Sequence, residues 1–430
     1  MKITKTTITN TFTFIVLYSS FIVGFILNED SAGGAIKDYS FHLGVREFFL
    51  NDTLYGIKNY LETGAVHSPI FIVLLKYLLF LGENFGRLVY LNFSILIIFL
   101  FYICLKKTFN INTAFLFLIS NFFFLSPYFR SSAIWPGDEN LALIFFVCSI
   151  YFYNSFFKKE DNNGKLISIF FNIFFLALAA YFRPIYALFS FYYFYQLIFK
   201  NFNFTFLLFY IVVNLTLSFP AFYYIFYMKV TFFFDSVGAF NFINSFSLTY
   251  TVLLFYLIPF LIFSEKKNIF TKLNIPYLLL SILITLIVVF LFNYNTTTGG
   301  GIFYMAQKIF FSGNYFYGLI FFISFIYVNN FLEIKKIDNL ILMIILLFFE
   351  LDNHFYMETY DPLFLICLFL LFKTNLINSY IRQINLKKII FLYTFLISFY
   401  FIKVSNLYFF RSQILKFENY NYQFYFDPPI

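Results

Sequence analysis

The sequence predicts an all-α, polytopic integral membrane protein. Hydrophobic residues make up 61% of the 430 residues and charged residues only 12%, and the mean hydropathy is +0.80. Soluble domains are about one quarter charged, so this composition is typical of a chain embedded in a bilayer. Apolar stretches alternate with short polar loops, which predicts about 13 transmembrane helices in one membrane-embedded domain, residues 1–430.

Cysteine spacing and charge distribution exclude two other classes of protein. The three cysteines lie inside apolar stretches without CxxC spacing, so neither a disulfide framework nor a zinc site is predicted. The net charge of +8 comes from lysines scattered over short loops rather than from a basic patch. We therefore expect a lipid bilayer and no nucleic acid among the partners.

The first two apolar stretches define a large first loop. Residues 12–27 follow Lys2 and Lys5 and predict a first transmembrane helix, although the SAGGA sequence after it also resembles a signal-peptide cleavage site. The stretch from Pro69 to Gly82 is too short to cross a bilayer and contains Lys76, which favours an interfacial helix. The first outer loop, residues 29–87, is then expected to carry juxtamembrane helices.

Lysine and arginine positions set the predicted topology. With residues 69–82 outside the bilayer, 17 of the 29 Lys and Arg lie on the cytoplasmic side and 9 in outer loops, whereas 5 of the 21 Asp and Glu are cytoplasmic and 14 are outer. This asymmetry fits the positive-inside rule and places all three histidines outside. The predicted spans are residues 12–27, 88–105, 114–127, 141–157, 166–183, 185–200, 204–226, 248–263, 275–292, 315–331, 340–349, 362–372 and 389–401.

The first outer loop contains the best candidate for a general base. Asp38, His42 and Arg46 recur every four residues, which places a carboxylate, an imidazole and a cation along one helix face. A carboxylate at a membrane surface is partly desolvated, which raises its pKa toward the working pH. A solvated amphipathic helix explains the same spacing. His67 lies in the same loop, and the Glu29–Asp30 pair is the alternative source of a base.

Two later outer segments add charged candidates. Asp138 and Glu139 precede an apolar helix, where they supply a second carboxylate or cap the helix N-terminus. Arg183 stands in the apolar stretch AAYFRPIY, where an arginine snorkels, pairs with an acid or binds an anion.

A triple glycine marks a further candidate for phosphate binding. Gly299, Gly300 and Gly301 precede IFYMAQKIFF, so backbone amides at a helix start, with Lys308 nearby, are placed to cradle a phosphate; a flexible re-entrant turn is the alternative. The acidic loop around His354 has no diagnostic ligand spacing, and no metal site or other cofactor is predicted.

The order of these features resembles the GT-C superfamily of polytopic glycosyltransferases, in particular the protein mannosyltransferase, aminoarabinose transferase and dolichyl-phosphate-glucose-dependent glucosyltransferase branches. The resemblance covers about residues 1–200. It rests on KDYSFH in the first outer loop, the HSPIFIVLLKYLLFLGENFG segment that follows, SPYFRSSAIWPGDENLALIFF and LAAYFRPIYALF.

The resemblance implies a catalytic site and roles for the candidate residues. Asp38 matches the acidic residue of the first outer loop that acts in catalysis, although this chain has Asp-Tyr where family members often have Asp-Glu; Asp138 matches the second acidic position. His42, Arg46, His67 and Glu139 would support the site, and Arg183, Lys308 and the glycines would hold the donor phosphate. Residues 201–430 would complete the cavity.

The predicted function is transfer of a sugar from a polyprenyl-phosphate carrier to a lipid, glycan or protein acceptor. The transfer would take place at the outer, periplasmic face of the cell (inner) membrane. An O-antigen-type polysaccharide polymerase and a lipid or glycan transporter are the alternatives. A transporter would place ionisable residues at mid-membrane and show repeat symmetry, and neither is evident in the sequence.

Overall fold

The computed structural model describes residues 5–63, 69–109, 111, 113–223, 226, 241–264, 274–294, 299–311, 313–349 and 355–418. Within these ranges the regular secondary structure is entirely helical. The α-helices, numbered in chain order, are α1 Lys5–Ile26, α2 Ala35–Glu47, α3 Thr53–Lys58, α4 Pro69–Leu78, α5 Glu83–Ser94, α6 Leu96–Phe109, α7 Thr113–Ser120, α8 Pro127–Ile134, α9 Asp138–Phe156, α10 Asn162–Phe182, α11 Phe189–Tyr193, α12 Phe204–Phe222, α13 Phe242–Leu261, α14 Ile275–Leu291, α15 Gly301–Phe310, α16 Tyr315–Phe331, α17 Ile337–Leu347, α18 Leu363–Leu370, α19 Asn375–Arg382 and α20 Leu386–Glu418.

The helices are those of an all-α polytopic membrane protein. In the described part, 7 helices are long and apolar enough to cross a bilayer, or 8 if the bent pair 357–370 and 375–382 is one span. These seven are α1 from Thr9, α5 and α6 together, α9, α10, α12, α13 and α20 up to Ser405. Each of the thirteen predicted stretches contains helix, but several helices are shorter than a span. The count of thirteen therefore remains a prediction.

The stretch that starts at Pro69 is a short helix. Helix α4 continues as a 3-10 turn from Leu79 to Leu81, and α5 begins two residues later. One side of α4 buries Phe71, Ile72 and Leu75 against the protein, and α4 packs on α2. This helix is thus shorter than the roughly 20 residues that a span requires. It packs against α2 in the first loop.

Two helices form the centre of the bundle. Most of α9 and α13 is buried, whereas few residues of α1 and α12 are buried inside the protein. Helix α9 packs on α6 and α10, and α13 packs on α16. Between α9 and α10, the Asn172 amide donates hydrogen bonds to the Ser149 carbonyl, at 3.0 Å, and to its hydroxyl, at 2.9 Å. Polar contacts of this kind stabilise helix pairs where lipid removes the hydrophobic drive for association.

Charged side chains connect the loops at the end of α9 that lies away from Asp138. Lys107 contacts the Ser155 hydroxyl, and Lys158 donates to the Lys107 carbonyl at 2.7 Å. Asp338 pairs with both Lys200 and Lys373, the second at 2.9 Å. The sequence assigned all these lysines to one side of the membrane.

Site-directed labelling tests that assignment. With the three native cysteines replaced by alanine, a cysteine at exposed Asn51 should react with an impermeant maleimide in intact cells. A cysteine at exposed Asn162 should react only after the membrane is permeabilised. The reverse pattern at the two positions would contradict the predicted orientation.

Candidate functional site

A tight turn after α1 positions α2 and its acidic residue. The chain reverses at Asn28 and Gly33, both with positive φ, and the Asp30 carboxylate accepts hydrogen bonds from the amides of Gly33, at 2.9 Å, and Ala35, at 3.3 Å. These bonds fix the first turn of α2, in which Asp38 lies. Asp30 is therefore used to order the backbone.

Helix α8 holds the start of α2 in place. The Ser31 hydroxyl donates to the Pro127 carbonyl at 2.8 Å, and the Ala32 amide donates to the Ser131 hydroxyl at 2.7 Å. Ser126 caps α8 by accepting from the Phe129 amide at 3.0 Å, and its hydroxyl donates to Asp361 at 2.7 Å. Three segments that are distant in sequence thus meet beside Asp38.

A buried ion pair connects the same turn to α8. The Arg130 guanidinium contacts both Glu29 oxygens, with 2.8 Å from Nε to Oε1, and the side chains are 5% and 13% exposed. The Trp135 indole donates to the Glu29 carbonyl at 3.0 Å. Glu29, the alternative base suggested by the sequence, is therefore paired with a cation.

Removal of this pair's cation should destabilise the protein. Arg130→Ala would leave the Glu29 carboxylate buried without its partner, and such losses cost about 3–5 kcal/mol in the free energy of unfolding. Denaturant titration in detergent measures this loss. Lys58→Ala, at an exposed position on α3, is the matched control and should change stability little. Equal stability of the two variants would contradict the role assigned to the pair.

Two adjoining clefts lie where these segments meet. The first measures about 490 Å³ and the second about 370 Å³, both including space that is open to solvent, and they share Glu139, Leu143, Glu358 and Asp361. Polar and aromatic side chains line the first cleft, including Asp38, His42, Tyr128, Ser132, Trp135 and Asn140. Arg183 and an apolar wall line the second; the wall consists of Ile185, Tyr186, Phe349 and Leu363.

Arg183 is held by two acids at the start of α9. Its Nε lies 3.0 Å from Asp138 Oδ1, and its Nη2 contacts Glu139 Oε1. The other Glu139 oxygen accepts from the Ser132 hydroxyl at 2.9 Å. The structure thus joins Arg183 to the Asp138 and Glu139 pair, which the sequence nominated separately from it, and it fixes the guanidinium at the second cleft.

The Asp38 carboxylate faces the first cleft. Its side chain forms no hydrogen bond or ion pair with any residue that the structure describes. Burial against the cleft walls raises the pKa of Asp38; Arg183 opposes this effect, and the Asp138 and Asp30 carboxylates add to it. The residue as a whole is exposed and lines the first cleft, so its carboxylate is accessible from that cleft.

The other residues of the predicted helix face have different positions. His42 is buried, lines the first cleft and packs edge-on against Phe71, with ring centroids 5.1 Å apart. Arg46 lies one turn further along α2 and lines neither cleft. His67 lies outside the described residues.

The triple glycine packs against the backbone of Phe355. Gly299, Gly300 and Gly301 all have φ near +80°, and a Cβ at Gly299 would lie 2.1 Å from the Phe355 carbonyl. The Gly300 amide donates to that carbonyl at 2.9 Å. In the described structure neither the glycines nor Lys308 line either cleft. The glycines instead allow close packing of the segment that carries Glu358.

Three charged groups, two that line the clefts and one beside them, were not nominated from the sequence. Glu358 and Asp361 belong to the acidic loop without diagnostic spacing, and Lys403 lies just beyond the last predicted span. Lys403 lies on α20 with its ammonium 4.8 Å from the Tyr128 ring centroid. Lys403 is a single charged residue in the apolar segment YFIKVSN. A single charge in an apolar segment is also what indicated Arg183, so the same criterion would have indicated Lys403.

The fold and the clefts define a class: an all-α polytopic membrane protein with a charged cleft at one end of its helix bundle. No group of three or more side chains suited to metal binding occurs among the described residues. No family model, curated protein or solved structure matches the chain. The clefts themselves are therefore the basis for assigning a function.

Proposed function

We propose that this protein is a membrane glycosyltransferase that moves a sugar from a polyprenyl-phosphate carrier to a hydroxyl group of a lipid, glycan or protein acceptor. The site would open on the outer face of the cell membrane. The observation that carries the proposal is that a carboxylate without a hydrogen-bond or ion-pair partner in the described structure, Asp38, lines one cleft, while a cation, Arg183, lines the adjoining cleft.

Asp38 is the general base in this proposal. The acceptor oxygen forms a bond to the anomeric carbon of the sugar while the bond from that carbon to the phosphate oxygen breaks. The electron pair of the broken bond leaves with the carrier phosphate, and Asp38 takes the acceptor hydroxyl proton. A base with a raised pKa and a free carboxylate suits this step.

Arg183 serves the leaving group. A phosphate gains negative charge as the sugar departs, and a guanidinium that is already held in place stabilises that charge without reorganisation. The apolar wall of the second cleft suits the isoprenoid carbons next to the phosphate. Because the donor brings its own leaving group, the transfer requires no soluble cofactor.

The first cleft has features that suit a sugar. Trp135, Tyr39 and Tyr128 provide aromatic surface, and carboxylate, hydroxyl and amide groups provide hydrogen-bonding partners. Arg87 covers one side of Trp135, with its guanidinium carbon 3.6 Å from the ring centroid. The indole is therefore held rigidly at the cleft.

Mass spectrometry of cells that lack the gene tests the proposed function. The sugar-loaded carrier should accumulate, and a surface glycan, glycolipid or glycoprotein should lose one sugar. Reintroduction of the wild-type gene should reverse both changes. Unchanged carrier and glycan profiles would contradict the proposal.

The pH dependence of transfer tests the state of the base. Asp38 must be ionised to act, so kcat/KM should rise with pH through the pKa of Asp38. This acidic limb should lie above the ordinary aspartate pKa of about 3.9, because burial against the cleft walls raises the pKa. Asp38→Glu should keep an acidic limb. A wild-type profile that is flat from pH 4 to 8 would contradict Asp38 as the base.

A further inference from the structure

The acidic groups that line the two clefts, and Asp138 beside them, differ in their hydrogen-bond and ion-pair partners. Asp138 pairs with Arg183, Glu139 with Arg183 and Ser132, and Asp361 accepts from Ser126. Neither Glu358 nor Asp38 forms a side-chain hydrogen bond or ion pair with any residue that the structure describes. Contacts of the Glu358 carboxylate therefore do not account for the position of the segment that carries it.

The backbone that carries Glu358 is nonetheless firmly held. The Phe355 carbonyl accepts from Gly300, and the Phe355 amide donates to the Tyr294 hydroxyl at 2.9 Å. On the other side, the Tyr360 hydroxyl donates to the Leu346 carbonyl at 2.9 Å. Met357 packs near Gly301, where a Cβ would lie 3.8 Å from its sulfur. A rigid turn that presents a free side chain is typical of a binding residue.

Glu358 also occupies a particular place. It lines both clefts, whereas Asp38 lines only the first and Arg183 only the second. Its carboxylate lies within electrostatic reach of Asp38 and Arg183, and of Lys403 on α20. A donor whose phosphate lies at Arg183 and whose reacting carbon lies near Asp38 would place its sugar at this junction.

We propose that Glu358 is a sugar-binding residue that accepts a hydrogen bond from a hydroxyl group of the transferred sugar where the two clefts meet. This inference rests on the proposed function. A carboxylate at this point can accept a hydrogen bond from a sugar hydroxyl group. It repels a phosphate that lies beside it, because both groups are negatively charged. Glu358 would thus distinguish a sugar-loaded carrier from the bare carrier that remains after transfer.

The test compares the binding of two probes to purified protein. The probes are decaprenyl phosphate and a panel of decaprenyl-phosphate monosaccharides, including mannosyl and glucosyl forms. Wild-type protein should bind one loaded carrier more tightly than decaprenyl phosphate. Glu358→Gln should weaken binding of that loaded carrier about tenfold, since the glutamine carbonyl replaces a charge-assisted hydrogen bond with a weaker neutral one. Its affinity for decaprenyl phosphate should stay the same or increase, which also shows that the variant is folded.

The controls separate this inference from the proposed function. Glu47→Gln, at an exposed carboxylate near the end of α2, should leave both affinities unchanged. If wild-type protein binds no carrier, the proposed function falls and the role of Glu358 with it. Two other results would overturn only the role of Glu358. In the first, the carriers bind but wild-type protein does not prefer a loaded one. In the second, Glu358→Gln lowers the affinity for both probes equally or for neither.

Discussion

Asp38→Asn should lower the rate of sugar transfer by roughly 10² to 10⁴, the usual contribution of a general base. Asparagine has nearly the same shape as aspartate but cannot accept the acceptor's proton at a useful pKa. Because the Asp38 side chain forms no hydrogen bond or ion pair within the described structure, its replacement should leave the fold intact. The initial rate of transfer in reconstituted vesicles measures the effect, and the melting temperature verifies the fold.

Asp52→Asn is the matched control for this variant. Asp52 is exposed in the same loop and caps α3 by accepting from the Leu54 amide at 2.8 Å, a role that asparagine can also fill. Its transfer rate should stay near that of the wild type. Asp30 is a poor control, because its carboxylate orders the start of α2. Near-normal transfer by Asp38→Asn would show that the base lies elsewhere.

Arg183→Ala should weaken binding of decaprenyl phosphate by about 100-fold. The variant loses a charged hydrogen-bond donor, a loss of roughly 1.5–3 kcal/mol, and it leaves the Asp138 and Glu139 carboxylates to repel the phosphate. Arg183→Lys should bind with intermediate affinity, because it keeps the charge but loses the planar fork. Isothermal titration with purified protein measures both affinities.

The control for Arg183 is a cation far from the clefts. Arg382 is exposed in the last turn of α19, so Arg382→Ala should bind decaprenyl phosphate as the wild type does. Wild-type affinity in both Arg183 variants would mean that Arg183 only connects α9 to α10. Equal losses in Arg183→Ala and Arg382→Ala would show that the phosphate is attracted by the overall charge of the protein.

The helices could be predicted from sequence because hydrophobicity and length decide them locally. The predicted stretch 315–331 coincides with α16, and 275–292 differs from α14 by one residue. How many helices cross the bilayer is harder to predict, because short apolar helices such as α7 and α17 bury part of their apolar surface in the protein. A hydropathy pattern does not distinguish burial in protein from burial in lipid.

Residues of the candidate site could be predicted only where one residue carried an unusual chemical signal. Arg183 in an apolar segment and Asp38 in the first loop both line the clefts. Glu358 was missed because its importance depends on its neighbours: the paired Asp361 and Glu139 have the same chemistry, and only tertiary contacts distinguish a free carboxylate from an engaged one. The triple glycine suggested a phosphate cradle, but Gly300 hydrogen-bonds to Phe355.

The central claim is that the protein removes a sugar from a lipid phosphate. The most direct test places the wild-type protein in vesicles with sugar-loaded decaprenyl phosphates and a membrane extract as the source of acceptor, and measures free decaprenyl phosphate by mass spectrometry. We expect decaprenyl phosphate to be released from one of the loaded carriers in step with the appearance of the sugar on an acceptor. Loaded carriers that stay intact, or that cross to the other leaflet with their sugar still attached, would contradict it, and crossing would identify a transporter.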